Sequence, residues 1–430
     1  MEPAKGETRI SRIGTDGVSE SVSIREIRVL NSHPFRSAAW RGIAKRLPPP
    51  YARGMTPTAT AFSWLRTGDE AFAAMLAAIG GARQSVRLET YIFTVSQLGE
   101  RFRAALVAAC VRGVRVQVLV DAWGSMSLPE EFWEPFITAG GEFRWFNPLR
   151  LHRFSIRDHR KLLVCDETTA FIGGFNIAPE HEGDGITRGW RDHGLQVSGP
   201  LVGELRRAFD DSFERAEFHH GHFVRLRKSA ATQTRATADG RLLLSGPGRG
   251  RQPLKSWLLA DLKAARSVQI AAAYFVPTLR IRHALTRVAR RSGRVQLLLA
   301  GPTDVPLSQL ASRSLYQPLL RAGVEIYEYQ PQVLHAKLTI IDDAVYVGSA
   351  NLDARSLGIN YELVVRLANP RLAAEARGLF AEDLAHARRI DAAGWRRSRT
   401  FWSKLKERWA HFLITQVDPR FARRQLRNLR

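Results

Sequence analysis

Short apolar runs alternate with longer stretches of helical periodicity along most of this chain. Phe72, Met75, Leu76 and Ile79 recur at the three- and four-residue spacing that places side chains on one face of a helix. Residues 114–120, by contrast, carry Val or Leu at every second position or more often, which is typical of a buried strand. Such strands alternating with helices indicate a layered α/β fold.

The same alternation occurs twice in the chain. Residues 82–93 resemble residues 265–276. Each stretch is followed by a helical segment rich in Ala, Leu and Arg, and then by an apolar strand, residues 114–120 and residues 295–299. A repeat of this kind within a single chain predicts two copies of one α/β/α unit.

Composition divides the chain into five segments. Residues 1–55 are polar, basic and weakly periodic, and they are expected to be a poorly ordered N-terminal segment. Residues 56–224 and 241–390 contain the two repeats, and the Ser-, Thr- and Ala-containing stretch 225–240 is interpreted as the linker between them. Residues 391–430 form a basic C-terminal tail.

The balance of charge narrows the class of partner. Lys and Arg total 64 against 41 Asp and Glu, which gives a formal net charge of +23 and implies a polyanionic partner, either nucleic acid or an anionic membrane surface. The two cysteines, Cys110 and Cys165, argue against a disulfide framework and a zinc site. We find no apolar run long enough to span a bilayer and no signal peptide, so a membrane would be contacted at its surface.

The strongest chemical signal is a His-x-Lys-x4-Asp motif in each repeat. A histidine and a lysine two positions apart on a strand point to the same face of the sheet. The four residues after the lysine carry the strand into the core, so the aspartate is expected at the strand end before a tight turn. The candidate catalytic residues are therefore His159, Lys161, Asp166, His335, Lys337 and Asp342.

A second apolar run follows each motif and is expected to return antiparallel to it. This run brings small residues and an asparagine beside the histidine, namely Gly174 and Asn176 in the first repeat and Ser349 and Asn351 in the second. Each repeat therefore predicts an imidazole, an ammonium and an amide on one patch. Two such patches related by a pseudo-twofold axis form one shared site.

This set of side chains is typical of displacement at a phosphodiester. One imidazole attacks phosphorus and forms a phosphohistidine, while the other protonates the leaving oxygen and later deprotonates the incoming hydroxyl. Lys161 and Lys337, with Asn176 and Asn351, are expected to hold the non-bridging oxygens and stabilise the transition-state charge. Ser349 and Gly174 are assigned with the asparagines as phosphate-supporting residues. These donors make a divalent metal unnecessary, and no cofactor is expected.

A histidine with these roles needs its second nitrogen anchored. Asp192 and Glu362 each follow the asparagine of their repeat and open another strand. We interpret them as the carboxylates that orient the histidines, by the logic of the acid in a catalytic triad.

Two copies of the motif within a duplication carry a family resemblance. From about Trp64 to about Glu382 the chain resembles the phospholipase D superfamily, and within it the bacterial cardiolipin synthases. The most specific matches are residues 157–161, 173–177 and 347–356.

The resemblance implies two α/β/α sandwich halves that face each other and share one active site. It also implies a phosphorylated histidine, for which the family favours His159, and transfer of a phosphatidyl group from phosphatidylglycerol to a lipid hydroxyl. Many membrane-bound members begin with two transmembrane helices. This sequence resembles the short form without them, for which we expect a peripheral location on the cytoplasmic face of the bacterial inner membrane.

Two other reactions use the same motifs. A phospholipase D hydrolase passes the phosphatidyl group to water and releases phosphatidic acid, and a nuclease cleaves phosphodiesters of nucleic acid, to which a charge of +23 is also suited. The duplication, the residues flanking the motifs and the aromatic basic tail favour lipid.

The C-terminal tail offers a route to the membrane. Trp402, Leu405, Trp409, Phe412 and Leu413 follow helical spacing and are surrounded by Lys and Arg, as in an interfacial helix on anionic lipid. The alternative is that this stripe packs onto the protein's own core.

Two aromatic clusters, residues 91–93 and 274–276, follow the first strand of each repeat. They either line the substrate groove or belong to the core of the sheets, and the sequence leaves both open.

Overall fold

The protein is described from a computed structural model. The residues described are 60–148, 155–216, 233–238, 240–247 and 252–427. The N-terminal segment 1–55 that the sequence predicts to be poorly ordered lies outside them.

The first half of the protein is a seven-stranded sheet with helices on both faces. Its strands are β1 (Ala61–Leu65), β2 (Ser85–Thr90), β3 (Arg115–Asp121), β4 (Glu142–Phe146), β5 (Leu162–Cys165), β6 (Thr169–Gly173) and β7 (Gly194–Ser198). Its helices are α1 (Gly68–Gly81), α2 (Gln97–Val111), α3 (Glu134–Thr138) and α4 (Pro200–Glu214), with 3-10 turns at Glu130–Trp133 and Pro179–His181. The strand order is β1-β7-β6-β5-β2-β3-β4, in which β2, β3 and β4 pair in parallel and the others antiparallel.

The second half is built in the same way. Its strands are β8 (Gln233–Ala236), β9 (Arg241–Ser245), β10 (Ser267–Ala272), β11 (Arg294–Ala300), β12 (Glu325–Tyr329), β13 (Lys337–Ile341), β14 (Ala344–Gly348), β15 (Glu362–Ala368) and β16 (Ala387–Arg389). Its helices are α5 (Pro253–Leu262), α6 (Leu279–Arg290), α7 (Pro306–Arg313), α8 (Tyr316–Arg321) and α9 (Pro370–Ala385). The strand order is β16-β12-β11-β10-β13-β14-β15-β9-β8.

Strands β9 to β15 repeat the order of the first sheet, with β9 in the place of β1. The predicted fold class, two pseudo-symmetric α/β/α halves, is therefore confirmed by the topology. Strand β8 differs from expectation because it lies within residues 225–240, the segment interpreted as a linker. It pairs antiparallel with β9 and so satisfies backbone groups that an open sheet edge would expose.

Helices α4 and α9 lie between the two sheets. Leu205 and Phe209 of α4 and Phe380 of α9 belong to a single buried cluster that also contains Val164 of β5 and Leu338 of β13. Because this cluster joins both halves, it holds the two motif strands in a fixed relation to each other. Separate clusters fill the outer face of each sheet.

The C-terminal tail is helical over its described length. It consists of α10 (Ala392–Ser398), α11 (Phe401–Phe412), a π-helical turn (Leu413–Val417) and α12 (Asp418–Arg427). Helix α11 packs on α7 of the second half, where Ala410 is buried with Val276 and Ala311. Within the described ranges, every helix is too short or too polar to cross a bilayer.

Candidate active site

Backbone hydrogen bonds join the two halves directly beside the motif histidines. The His159 amide donates to the carbonyl of Tyr361 at 2.9 Å, and the His335 amide donates to the carbonyl of Arg191 at 2.7 Å. Each histidine is thereby tied to the chain segment that opens a strand of the opposite half. These crossed hydrogen bonds determine which carboxylate lies beside each histidine.

The orienting carboxylates cross between the halves. Glu362, the residue after Tyr361, lies with Oε2 3.2 Å from Nδ1 of His159. Asp192, the residue after Arg191, lies with Oδ2 2.7 Å from Nδ1 of His335. The structure thus brings both predicted carboxylates to the histidines, each to the histidine of the other repeat.

Both histidines are buried and neutral in this arrangement. Burial lowers the pKa of His159 to about 4, with the Lys161 charge acting in the same direction and Glu362 against it. Burial, followed by the Lys337 and Lys161 charges, also holds the pKa of His335 well below its usual value. A neutral imidazole that donates Nδ1–H to a carboxylate leaves the Nε2 lone pair free for reaction.

The carboxylates differ in their ionisation. Burial alone would raise the pKa of Glu362, but its contacts with His159 and Ser349 hold that pKa below the usual value. Burial raises the pKa of Asp192 in spite of the nearby Lys337 charge. Glu362 is therefore the more firmly anionic of the two partners.

Each lysine binds the carbonyl of its own motif histidine, and the charge of Lys337 acts on Lys161. Lys161 Nζ donates to the carbonyl of His159 at 2.7 Å, and Lys337 Nζ donates to the carbonyl of His335. Burial lowers the pKa of Lys161 to about 7, with a further contribution from the Lys337 charge, and that of Lys337 to about 8. A bound anion would stabilise both buried ammonium groups, so this pair suits the non-bridging oxygens of a phosphodiester.

The small residues after each motif support the carboxylates. Gly174 has no room for a side chain, because a Cβ there would collide with the carboxylate of Asp192. Ser349 Oγ donates to Glu362 Oε2, and the Ser349 carbonyl lies 3.1 Å from His159 Nδ1. The sequence assigned both residues to phosphate support, whereas their contacts in the structure are to the orienting groups.

The two asparagines have different surroundings. Asn176 accepts from the Ile92 amide at 3.3 Å, and its Nδ2 lies 3.0 Å from Nε2 of His181. Asn351 is also buried, and its Oδ1 has no hydrogen-bond partner among the described residues. Asn351 therefore retains more capacity than Asn176 to bind a ligand.

His181, a buried histidine outside both motifs, also lies at this site. Its ring lies 4.8 Å from the His335 ring in an edge-to-face arrangement, and burial holds its pKa well below the usual value. Five residues after Asn351, the corresponding position of the second repeat is Ser356. A difference between the repeats, rather than their likeness, is the sequence signal for this residue.

One group of side chains has the geometry to hold a metal ion. Within the described part of the chain, His181, Asp192 and His335 offer ligand atoms within 4.8 Å of one another. Asp192 and His335 already hydrogen-bond to each other, a contact with which a metal would compete. Metal independence stays a prediction.

The motif aspartates lie at the far end of their strands from the histidines, which corrects their assignment as catalytic. Asp166 accepts from the amides of Arg83, Gln84 and Ser85 at 2.7 to 3.1 Å. Asp342 accepts in the same way from the amides of residues 266 and 267. Both aspartates have φ near +50°, so each ends its strand and caps a neighbouring backbone turn.

The aromatic clusters at residues 91–93 and 274–276 include residues that line the site and residues that belong to the core. The Tyr91 ring lies 4.9 Å from the His159 ring and 5.0 Å from Lys161 Nζ, so it lines the site. Tyr274 donates to Asp304 at 2.6 Å. Phe93 and Phe275 are fully buried in the outer cores.

Comparison with known proteins agrees with this geometry. The family model described as "Cardiolipin synthase, PLD-like domain" matches residues 75–209 and 258–384, which lie in the two halves. The chain belongs to this PLD-like family. Cardiolipin synthase B of Shigella flexneri is 33% identical to it over 384 residues, covering 83% of this chain and 92% of that protein. Cardiolipin synthase 1 of Bacillus cereus is 30% identical over 354 residues, covering 79% and 69%.

A solved structure shows the same PLD-like architecture. The crystal structure of phosphatidylserine synthase from Haemophilus influenzae superposes with a TM-score of 0.67 at 13% identity, covering 83% of this chain and 94% of that one. At this identity the likeness concerns the fold. The predicted membership of the phospholipase D superfamily, cardiolipin synthase type, is confirmed by the family match and the relatives.

Proposed function

We propose that this chain transfers a phosphatidyl group from phosphatidylglycerol to the hydroxyl of a lipid acceptor through a phosphohistidine. The observation that carries the proposal is the crossed pairing of the carboxylates: Glu362 of the second half contacts His159 of the first, and Asp192 of the first half contacts His335 of the second. This crossed pairing leaves each imidazole with a reactive Nε2 and makes the site incomplete without both halves. Membership of the cardiolipin synthase family supports lipid over nucleic acid as the substrate.

The reaction proceeds as two displacements at phosphorus. Nε2 of His159, which we assign as the nucleophile, attacks the phosphorus of phosphatidylglycerol and forms a P–N bond. The P–O bond to glycerol breaks, and the leaving oxygen takes a proton from His335. The acceptor hydroxyl then gives its proton to His335 and attacks phosphorus, which breaks the P–N bond and yields the new diester.

Charge compensation lets the second histidine act as an acid. Without substrate, burial and Lys337 keep His335 neutral. A phosphodiester bound between Lys161 and Lys337 adds a negative charge, which raises the histidine pKa values and favours a protonated His335. The lysines also stabilise charge on the equatorial oxygens in each transition state.

Burial of the reacting groups supports transfer over hydrolysis. His159, Lys161, His335 and Lys337 are each at most 9% exposed. A site that excludes bulk water favours an acceptor that binds in place over free water. Phosphatidyl transfer is therefore preferred to release of phosphatidic acid.

We infer a peripheral location on the cytoplasmic face of the inner membrane, supported by the +23 charge and by the names of the relatives, which are synthases of the membrane lipid cardiolipin. We also infer that residues 56–224 and 241–390 are the two repeats, joined by 225–240 and followed by the tail 391–430. The spans of β1 to α4 and β9 to α9 support this division.

Incubation with phosphatidylglycerol vesicles in EDTA, followed by lipid analysis, tests the proposed function. We expect cardiolipin and glycerol in equal amounts, and activity in EDTA also tests metal independence. Phosphatidic acid as the sole product would identify a hydrolase instead. DNA cleavage without lipid turnover would identify a nuclease, and the His335→Ala variant serves as the inactive control.

The pKa shifts predict the pH dependence of kcat/KM, which reports groups of the free enzyme. His159 must be neutral to attack, so activity falls as pH drops through about 4. The lysines bind phosphate as cations, a form present below their pKa values and lost as pH rises through about 7 and about 8. With a water-soluble nitrophenyl phosphodiester, whose leaving group needs little protonation by His335, we expect a maximum between these limits. A rate that stays constant through the alkaline range would contradict the role of the lysines.

A further inference from the structure

The aromatic stripe of α11 faces away from the protein. Trp402 is 67% exposed, Trp409 58% and Phe412 47%, and Leu405 is also exposed. The helix packs on α7 through its opposite face, where Glu407 and Ala410 are buried. All exposed Trp and Phe side chains among the described residues lie in the tail. The alternative that the stripe packs onto the core is therefore wrong for these residues.

The acidic residues of the tail have their charges engaged within the protein. Glu407 pairs with Arg399, Asp418 pairs with Arg355, and Asp391 accepts the Gly394 amide at the start of α10. The basic residues, in contrast, point to solvent around the aromatic stripe. The exposed cations of the described tail are Arg396, Arg397, Lys404, Lys406, Arg408, Arg420 and Arg424.

The tail is also connected to the active site. Asp418, the first residue of α12, accepts from Arg355 Nε at 2.7 Å and from a second guanidinium nitrogen. Arg355 follows Asn351 in the loop between β14 and β15, and its carbonyl accepts the amides of Ile359 and Asn360 at 2.8 and 2.9 Å. This loop leads to Glu362, the residue that orients His159.

Arg355 reaches the first half as well. One of its terminal nitrogens donates to the Ser155 carbonyl at 3.3 Å, four residues before His159. A single guanidinium thus connects the tail, the loop before Glu362 and the segment before the first motif. Displacement of α12 would act on both sides of the catalytic site through this contact.

We infer that α11 and the start of α12 form the surface by which the protein rests on an anionic phospholipid bilayer, and that the Arg355–Asp418 ion pair couples this surface to the active site. Trp and Phe insert at the level of the lipid headgroups, and the surrounding cations match the negative surface potential of the bilayer. The inference rests on the proposed function for its lipid substrate.

Two other occupants fit this surface less well. A second copy of the chain would bring two strongly basic surfaces together, which like-charge repulsion opposes. Nucleic acid matches the cations but does not require Trp402, Trp409 and Phe412 on one continuous apolar stripe. The bilayer alone accounts for both the stripe and the charge around it.

Vesicle sedimentation of the full chain tests the surface. We expect the protein to sediment with vesicles of phosphatidylglycerol and phosphatidylcholine, and much less with phosphatidylcholine alone. The variant with Trp402, Trp409 and Phe412 each changed to Ser is expected to bind at least about tenfold less. A variant with Val111 and Ile137, exposed residues of the first half, changed to Ser is the matched control and should bind normally.

Sedimentation of the triple variant at the wild-type level overturns the inference. If the triple variant sediments normally but loses DNA binding, the surface belongs to nucleic acid. If it sediments normally but its oligomeric state changes, the surface belongs to a second copy of the chain.

Turnover of short-chain phosphatidylglycerol below its critical micelle concentration distinguishes the proposed membrane surface from the proposed function. We expect the triple variant to turn over this soluble lipid at the wild-type rate. If the wild type uses neither the soluble lipid nor the vesicles, the proposed function is refuted, but the sedimentation result for the surface still holds.

Asp418→Asn tests the coupling. This variant retains the aromatic stripe, so we expect normal vesicle binding, turnover on vesicles reduced several-fold, and a smaller reduction in turnover of the soluble lipid. Asp418→Glu keeps the charge and should restore part of the vesicle rate. Equal vesicle rates for Asp418→Asn and wild type would separate the tail from catalysis.

Discussion

Alanine at either His159 or His335 is expected to abolish phosphatidyl transfer, with turnover lower by at least about 10³-fold. Both imidazoles lie in one buried site and perform different parts of the same two steps, so neither replaces the other. The double variant should be no worse than the worse single variant, because groups that act as a unit do not contribute additively. Initial rates of cardiolipin formation measure the effect.

Removing a buried histidine also leaves its carboxylate without a partner, so stability must be monitored. His159→Asn and His335→Asn keep a polar group near Glu362 and Asp192 and should show the same loss of turnover with wild-type thermal unfolding. Trapping with a slow substrate then assigns the roles. We expect phosphate on His159 and its accumulation in His335→Asn. Phosphate on His335 would reverse the assignment, and substantial activity in either variant would contradict a shared site.

The fold could be predicted because its determinants are local and occur twice. Strand β5 follows Lys161 at once, and β13 begins at Lys337, in accordance with the apolar run that the motif spacing requires. The period of two along a strand places each histidine and its lysine on one face, and the carbonyl contacts of Lys161 and Lys337 agree with that placement. Repetition of the whole pattern predicted the second sheet from the first.

The pairing of histidine and carboxylate depends on contacts that no local pattern contains. His159 and Glu362 are 203 positions apart, and the bond between the His159 amide and the Tyr361 carbonyl brings them together. For the motif aspartates, in contrast, a local pattern was present but misleading. Their fixed spacing from His159 and His335 suggested catalysis, yet Asp166 meets backbone amides 81 to 83 positions away and sets the strand end.

His181 shows why similarity between repeats is an incomplete guide to a site. Asn176 binds it, and its ring packs against His335, but the second repeat has Ser356 at the same distance from its asparagine. The His335 side of the site thereby acquires a buried imidazole that has no counterpart in the motif comparison. Such asymmetry is compatible with different roles for His159 and His335.

Asp192→Asn and Glu362→Gln are each expected to reduce turnover by roughly 10² to 10⁴-fold, because an amide no longer enforces the reactive tautomer or stabilises the imidazolium. The crossed contacts predict which histidine each change disables. Glu362→Gln weakens His159 and slows formation of the phosphoenzyme. Asp192→Asn weakens His335 and slows proton transfer to the leaving group and from the acceptor.

A substrate with a nitrophenol leaving group distinguishes these effects, because its departure needs little protonation. With this substrate Asp192→Asn should keep a fast burst of nitrophenol followed by slow turnover, whereas Glu362→Gln should lose the burst. Glu325→Gln, which removes an ion pair with Arg294 in the second sheet, is the matched control and should behave as wild type. The opposite pattern, with phosphate trapped on His159, would mean that each carboxylate serves the histidine of its own repeat. The crossed geometry makes the two halves depend on each other for catalysis, so the burst experiment tests the feature on which the shared site rests.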